Sequence, residues 1–309
     1  MISLVGYTGF VGNNILASAG DDIQYKYNSK NITEAYGTNP DLLIYAGLRA
    51  EKYLANQDPE KDMDLIKEAE NNIEKIHPKK LVLISTIDIF KEPRSVDENS
   101  FVPTDGLHPY GYNRFQLELW SREHYPDALI IRLPGLFGKN IKKNFIYDFL
   151  NVIPFMLKAS KFEELTLRDK SLQNYYEKQP NGFYRVKKLD DNEQAALKEI
   201  FRSIGFSALN FTDSRSKFQF YPLENLWDDI RFTLKAGILL WHPATEPVSA
   251  AEIYKFLTGE NFINELPGSP ADYDFRTIYD SLFNSKNGYI CEKEQILQTI
   301  RRFAVQWNH

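Results

Sequence analysis

Tyr110-Gly111-Tyr112-Asn113-Arg114 places a phenol and a guanidinium four residues apart, on one face if the segment is helical. A cation one turn from a phenol favours the phenolate, so this spacing predicts a Tyr110 pKa lowered toward the range of acid–base work. Thr86 closes the apolar run Leu81-Val82-Leu83-Ile84-Ser85 and is placed to hydrogen-bond the same substrate oxygen. A second constellation lies at the start of the chain, where Gly6, Gly9 and Gly12 are separated by two residues each. The apolar run Ile2 to Val5 before them reads as a buried strand, and Phe10, Val11, Ile15 and Leu16 after them recur at helical spacing. Strand, glycine turn, helix is the order a dinucleotide pyrophosphate requires. One glycine makes the turn, another lets the backbone approach phosphate, and the third lets helix and strand pack closely. The helix N-terminus then offers N–H groups and a positive dipole end to the anion.

The elements that must position these groups alternate. Ile23 to Tyr27 predicts a second strand with a polar end at Asn28-Ser29-Lys30, and Asp41 to Tyr45 a third, running into the small turn Ala46-Gly47. The strand and helix expected between these two are abbreviated. A helix follows, with Ile66, Ala69, Ile73 and Ile76 at three- and four-residue spacing. Lys80 opens the strand that ends at Ser85-Thr86, a loop rich in Pro, Asp and Glu crosses residues 92–109, and Tyr110 to His124 is helical again. Ala128 to Leu133 is the next strand, closed by Pro134-Gly135. This alternation predicts a parallel sheet with helices on both faces, whose ligands sit at the strands' carboxyl ends. The residues expected to hold the cofactor all lie at such ends: Gly6, Thr8, Gly9, Phe10, Val11, Gly12, Asn28, Ser29, Lys30, Ala46, Gly47 and Pro134. The second strand ends without an acidic residue for a ribose 2′-hydroxyl, while Ser29 and Lys30 suit a 2′-phosphate, so NADP is expected to bind at least as well as NAD.

The second half reads differently. Residues 146–218 are mixed and more polar, with one clear helix from Asn192 to Ile204. Residues 219–245 return to the sheet, with a helix from Leu226 to Lys235 and a short strand at Ile238–Trp241. From Pro247 onward short helices and turns are expected. The predicted plan is a dinucleotide-binding domain of residues 1–145 plus 219–245, and a smaller discontinuous lid of residues 146–218 plus 246–309, with the ligand cleft between them.

Four ordered motifs carry a family resemblance: Gly6-x-x-Gly9-x-x-Gly12, Leu83-Ile84-Ser85-Thr86, Pro109-Tyr110-Gly111-x-x-Arg114, and Ile131-Arg132-Leu133-Pro134-Gly135-Leu136-Phe137-Gly138. Over residues 1–145 they resemble the successive signatures of the extended short-chain dehydrogenase/reductases, the nucleotide-sugar epimerase, dehydratase and ketoreductase group. Phe220-Tyr221-Pro222-Leu223-Glu224 and Thr245-Glu246-Pro247-Val248-Ser249 are similar to the family's closing segments, more weakly. The resemblance implies a Rossmann sheet, a bound NADP or NAD, and a Ser/Thr-Tyr-Lys catalytic set, with Thr86 as the Ser/Thr and Tyr110 as the acid–base. Arg114 stands where the family has lysine, whose role there is to lower the tyrosine pKa and hold the nicotinamide ribose. Arginine keeps the charge but is larger, planar and unable to relay a proton. The family's dehydratases carry Asp-Glu directly after the threonine; here those positions are Ile87 and Asp88, so one carboxylate remains.

Asp88 shares a side of an extended strand with Thr86 and is a candidate substrate contact. Asn144 and Arg215 are further candidates for a substrate phosphate, each also readable as an ordinary surface residue. Arg49 and Lys52 follow the Ala46-Gly47 turn, near the expected ligand or as solvated helix charges. The five histidines show no metal spacing, so no metal is expected.

Bulk properties set the outer limits. A net charge of −5 implies no general affinity for nucleic acid or an anionic membrane. The single cysteine, Cys291, forms no internal disulfide, no apolar run reaches the length of a membrane span, and the first strand begins beside Met1, so a soluble cytoplasmic protein is expected. A homodimer is compatible with these features. Two functional readings follow. One is a reductase or epimerase acting on a nucleotide sugar or a similar polar carbonyl or alcohol. The other is a dinucleotide-binding sensor or partner-binding protein whose chemistry has lapsed at Arg114.

Overall fold

The computed structural model describes residues 1–307, so the last two residues of the expected lid segment lie outside the described residues. Two compact units divide the chain. The first comprises Met1–Ile141, Lys217–Val248 and Asp272–Thr299. Its strands are β1 (Ile2–Val5), β2 (Tyr25–Tyr27), β3 (Leu42–Tyr45), β4 (Leu81–Thr86), β5 (Leu129–Leu133) and a two-residue strand, Leu240–Trp241. They form one sheet that runs from Leu240–Trp241 through β5, β4, β3 and β1 to β2, with every neighbour parallel. The abbreviated segment between β2 and β3 holds only a 3₁₀ turn, Ile32–Ala35, so the three-residue β2 is the sheet edge.

Side chains alternate across a strand, and here both faces are apolar. Leu4, Ile44, Val82 and Ile131 point to one face and pack on Ile15 and Ala19 of α1 (Phe10–Ala19) and on Leu226 and Ile230 of the helix Leu226–Lys235. Val5, Leu43, Leu83 and Ile130 point to the other. There α2 (Lys52–Gln57) precedes α3 (Pro59–Ile76) and α4 (Pro109–His124), and Ile66, Ala69, Ile73 and Ile76 of α3 with Leu117 of α4 complete the layer. The fold is a doubly wound Rossmann sheet.

A buried ion pair ties α4 to the sheet. Arg132 on β5 donates to Glu118 of α4 at 2.7 Å, and both side chains are almost fully buried. The Ser85 hydroxyl donates to the same carboxylate at 2.5 Å, and His242 lies 3.2 Å from Arg132. Burial, then the Arg132 charge, holds His242 down to about 3 and therefore neutral. These contacts fix the helix that carries Tyr110 against the strand that ends in Thr86.

Residues 272–299, expected with the lid, lie in the sheet unit. Gln219 explains the placement: its side-chain oxygen accepts the Phe275 N–H at 2.8 Å, and its amide donates to the carbonyls of Phe275 and Thr245. A buried amide with all its groups satisfied pins that segment to the first unit.

The second unit comprises Lys142–Ser216, Ser249–Ala271 and the chain from Ile300. It opens with α5 (Phe145–Asn151) and contains a three-stranded antiparallel sheet of Met156–Lys158, Phe183–Val186 and Tyr176–Lys178. Its core is Ile153, Leu157, Phe162, Leu165, Leu197 and Phe201, with the Phe162 and Tyr184 rings stacked at 3.8 Å. No helix among the described residues is long and apolar enough to cross a membrane.

Candidate active site

The glycine turn forms a cradle at the end of β1. Gly6 has a φ of +91°, and a Cβ there would stand 2.3 Å from the Ala46 carbonyl oxygen, so the Ala46-Gly47 turn presses directly on it. A Cβ on Gly12 would stand 2.3 Å from the Gly6 carbonyl oxygen. These two positions require glycine for packing. Gly9 does not: a Cβ there meets only the Gly6 oxygen, at 3.2 Å, and the space beyond is open. Gly9 is the N-cap of α1, and no side chain caps the helix. Thr8 and Gly9 are exposed, while Phe10 and Val11 are half-buried against the core and direct the helix away from the turn. Open space in front of an uncapped helix N-terminus fits a pyrophosphate.

At the end of β2, the Asn28 side-chain oxygen accepts the Lys30 N–H at 2.8 Å, which closes a tight turn and leaves Ser29 and Lys30 exposed. Pro134 follows β5, half-buried, at the same carboxyl edge. The expected dinucleotide residues thus gather along one edge of one sheet.

Tyr110 and Arg114 are both buried, 7% and 3% exposed, so neither decorates the surface of the helix. The guanidinium lies over the Tyr110 ring, 4.5 Å from its centroid. It also donates to Asp62 of α3 at 2.6 Å and to the Arg49 carbonyl at 2.7 Å. Two of its donors are therefore spent on holding α4 to α3 and to the loop after β3. The lowered Tyr110 pKa expected from the spacing is not found. Burial raises it, and this outweighs the Arg114 charge and the nearby Thr86 hydroxyl, both of which pull it down; nearby Asp88 also raises it. A phenol almost out of water loses more by ionising than one stacked cation returns.

Thr86 lies close enough to Tyr110 to act on its hydroxyl, and the Thr86 hydroxyl accepts the Asp88 N–H at 3.1 Å. Asp88 has both oxygens engaged, one by Lys52 of α2 at 3.1 Å and the other by the Tyr273 hydroxyl at 3.1 Å. Asn144 and Arg215 belong to the second unit. The Asn144 side-chain oxygen caps α5 by accepting from Ile146 and Tyr147. Arg215 is clamped by Asp213 at 2.7 Å and Glu265 at 3.2 Å, so its charge is largely answered within the second unit.

Several contributors escaped sequence reasoning. Asp62, Asn56 and Tyr273 reach the site from elements 52, 54 and 185 residues away from their partners, and no local pattern marks them. His108 had a usable signal: it stands directly before Pro109, the first residue of α4, which is the N-cap position.

No protein-family model matches the sequence, and no curated protein does. Solved structures are similar to it over its full length. dTDP-4-dehydrorhamnose reductase from Yersinia enterocolitica shares 12% identity over 99% of each chain, with a TM-score of 0.63. The corresponding reductase from Bacillus anthracis, in complex with NADP, shares 14% identity over 99% of this chain and 97% of that one, with a TM-score of 0.62. UDP-N-acetylglucosamine 4-epimerase from Methanobrevibacter ruminantium, in complex with UDP-N-acetylmuramic acid, shares 11% identity over 99% of this chain and 97% of its own, with a TM-score of 0.63. The likeness is one of fold, and it establishes the fold across both units.

Proposed function

We propose that the chain is an NAD(P)-dependent reductase or epimerase of the extended short-chain dehydrogenase/reductase type, acting on a carbonyl or alcohol of a nucleotide sugar. The observation that carries this reading is the buried Tyr110, stacked under Arg114 and close to Thr86, at the carboxyl edge of the same parallel sheet that holds the glycine cradle. Gly6, Gly9, Gly12 and the first turn of α1 hold the pyrophosphate, and Asn28, Ser29 and Lys30 meet the adenosine ribose. A bound nicotinamide supplies or accepts a hydride at the substrate carbon.

The chain's own residues handle the proton. Burial keeps the Tyr110 hydroxyl protonated, so its Oη is set to donate to a carbonyl oxygen as that oxygen gains charge, which is the reductive direction. Thr86 orients that oxygen. The Arg114 guanidinium over the ring stabilises the phenolate left behind. Ile87 supplies no acid, and both oxygens of Asp88 are engaged, which favours reductase or epimerase over dehydratase. The burial of Tyr110 close to Thr86 also favours live chemistry over a lapsed sensor, because a protein that only binds has no need of that placement.

Fluorescence titration with NADPH and NADH, joined to a turnover screen over carbonyl-bearing nucleotide sugars, tests the reading. Tyr110→Phe is expected to lower turnover by about 10²–10⁴-fold and leave cofactor affinity unchanged, since only the acid hydroxyl is lost. Failure of both cofactors to bind, or turnover indifferent to Tyr110→Phe, overturns it.

A further inference from the structure

The first turn of α4 is held by two side chains. Pro109 has no N–H to place. The Tyr110 N–H goes to the Asn56 side-chain oxygen at 2.9 Å, and the Gly111 N–H goes to Nδ1 of His108 at 3.0 Å. Helix N-caps are usually Ser, Thr, Asp or Asn, whose oxygens accept at any neutral or mildly acid pH. An imidazole nitrogen accepts only while it carries no proton, so this bond fixes His108 as the neutral Nε2–H tautomer. The same turn is pinned from the other side. A Cβ on Gly111 would stand 2.2 Å from the Asp88 carbonyl oxygen and 3.0 Å from the His108 ring. The His108 and Tyr110 rings face each other at 27°, with centroids 6.2 Å apart.

We propose that His108 is a positioning residue for Tyr110: its neutral imidazole holds the first turn of α4 where the phenol meets Thr86, and its protonation releases that turn. What Tyr110 does there rests on the proposed function; the cap itself rests on geometry alone. Lys52 of α2 and Asp88 after β4 are the charged groups that act on the ring. Burial and then Lys52 lower the His108 pKa, with Asp88 opposing, so the neutral cap persists at neutral pH. A proton on Nδ1 would set two donors against each other across the His108–Gly111 contact. It would also add positive charge at a helix N-terminus, which the dipole disfavours.

The test uses the full chain, ¹⁵N-labelled at histidine and glycine, titrated by NMR from neutral to acid pH, with His108→Asn to assign the signals. An Nε2–H tautomer at neutral pH is expected, with a midpoint below an ordinary histidine's. Over that midpoint the Gly111 amide signal should shift, and in His108→Asn, whose oxygen caps without titrating, the shift should be lost. An Nδ1–H tautomer, or a Gly111 amide indifferent to the His108 titration, overturns the proposal. Reductive turnover supplies the functional arm: its acid limb should be present in the parent and displaced to lower pH in His108→Asn. The same acid limb in both overturns the link to Tyr110. Absence of turnover in both counts against the proposed function, and the NMR arm still decides on His108.

Discussion

Arg114 shows how one side chain can serve several partners at once. A lysine at this position would carry one compact ammonium, whereas the planar guanidinium serves Asp62, the Arg49 carbonyl and the Tyr110 ring at once. Arg114→Ala leaves Asp62 buried without its countercharge and is expected to cost about 3–5 kcal/mol of stability, with turnover falling as α4 loosens. Arg114→Lys keeps the charge but gives up one of the two hydrogen bonds, so a loss of about 1–2 kcal/mol is expected, with most of the turnover retained. Denaturant unfolding of the two variants beside the parent measures the difference. Equal stability for all three would mean that the buried pair contributes nothing.

At the scale of elements, the strand–turn–helix unit β1–α1 divides its glycines by task. Gly12→Ala drives a methyl into the Gly6 carbonyl and should destabilise the fold by about 1–3 kcal/mol through overpacking. Gly9→Val meets little protein and fills the space where a phosphate would lie, so it should abolish NAD(P) binding while the melting temperature stays near the parent's. Circular-dichroism melts and cofactor titration separate the two outcomes; retained binding in Gly9→Val would misplace the site. The turn after β2 is expected to set the choice of cofactor. With Ser29 and Lys30 exposed and no carboxylate present, NADP is expected to bind at least as tightly as NAD, and Lys30→Glu should reverse the order. A parent that prefers NAD would mean that Lys30 makes no contact with the ribose side.

Across the whole molecule, the buried His242 and the half-buried Asp148 oppose each other in pH. His242 in the sheet unit is held down to about 3, so the unfolded chain binds the extra proton between there and the ordinary histidine range, and stability falls as pH drops through that window. Asp148 in the second unit has the opposite sign. Burial pushes it up to about 7, so the folded form binds the extra proton above the ordinary aspartate range. Its contribution is full in acid and is lost as pH rises through about 7. Asp148→Asn should therefore raise the melting temperature at pH 8 and leave it nearly unchanged at pH 4. An equal change at both pH values would show that Asp148 does not titrate in that range.

The fold, and where in it many candidate-site residues fall, were legible in the sequence because their signals are local. The spacing of Gly6, Gly9 and Gly12, the run that ends in Thr86, and the helix that begins at Pro109-Tyr110 are set by chain geometry over a few residues, and the helix Leu226–Lys235 has the bounds its pattern predicts. What the tertiary structure alone decided depends on partners far along the chain. Arg114 pairs with Asp62, Asp88 with Lys52 and Tyr273, and Gln219 with Phe275, and each pairing exists because the parallel sheet brings distant segments to one place. The direction of the Tyr110 pKa belongs to the same class. Spacing reveals the neighbouring charge, but desolvation depends on every element packed around the ring, and only the folded chain sets how much water remains.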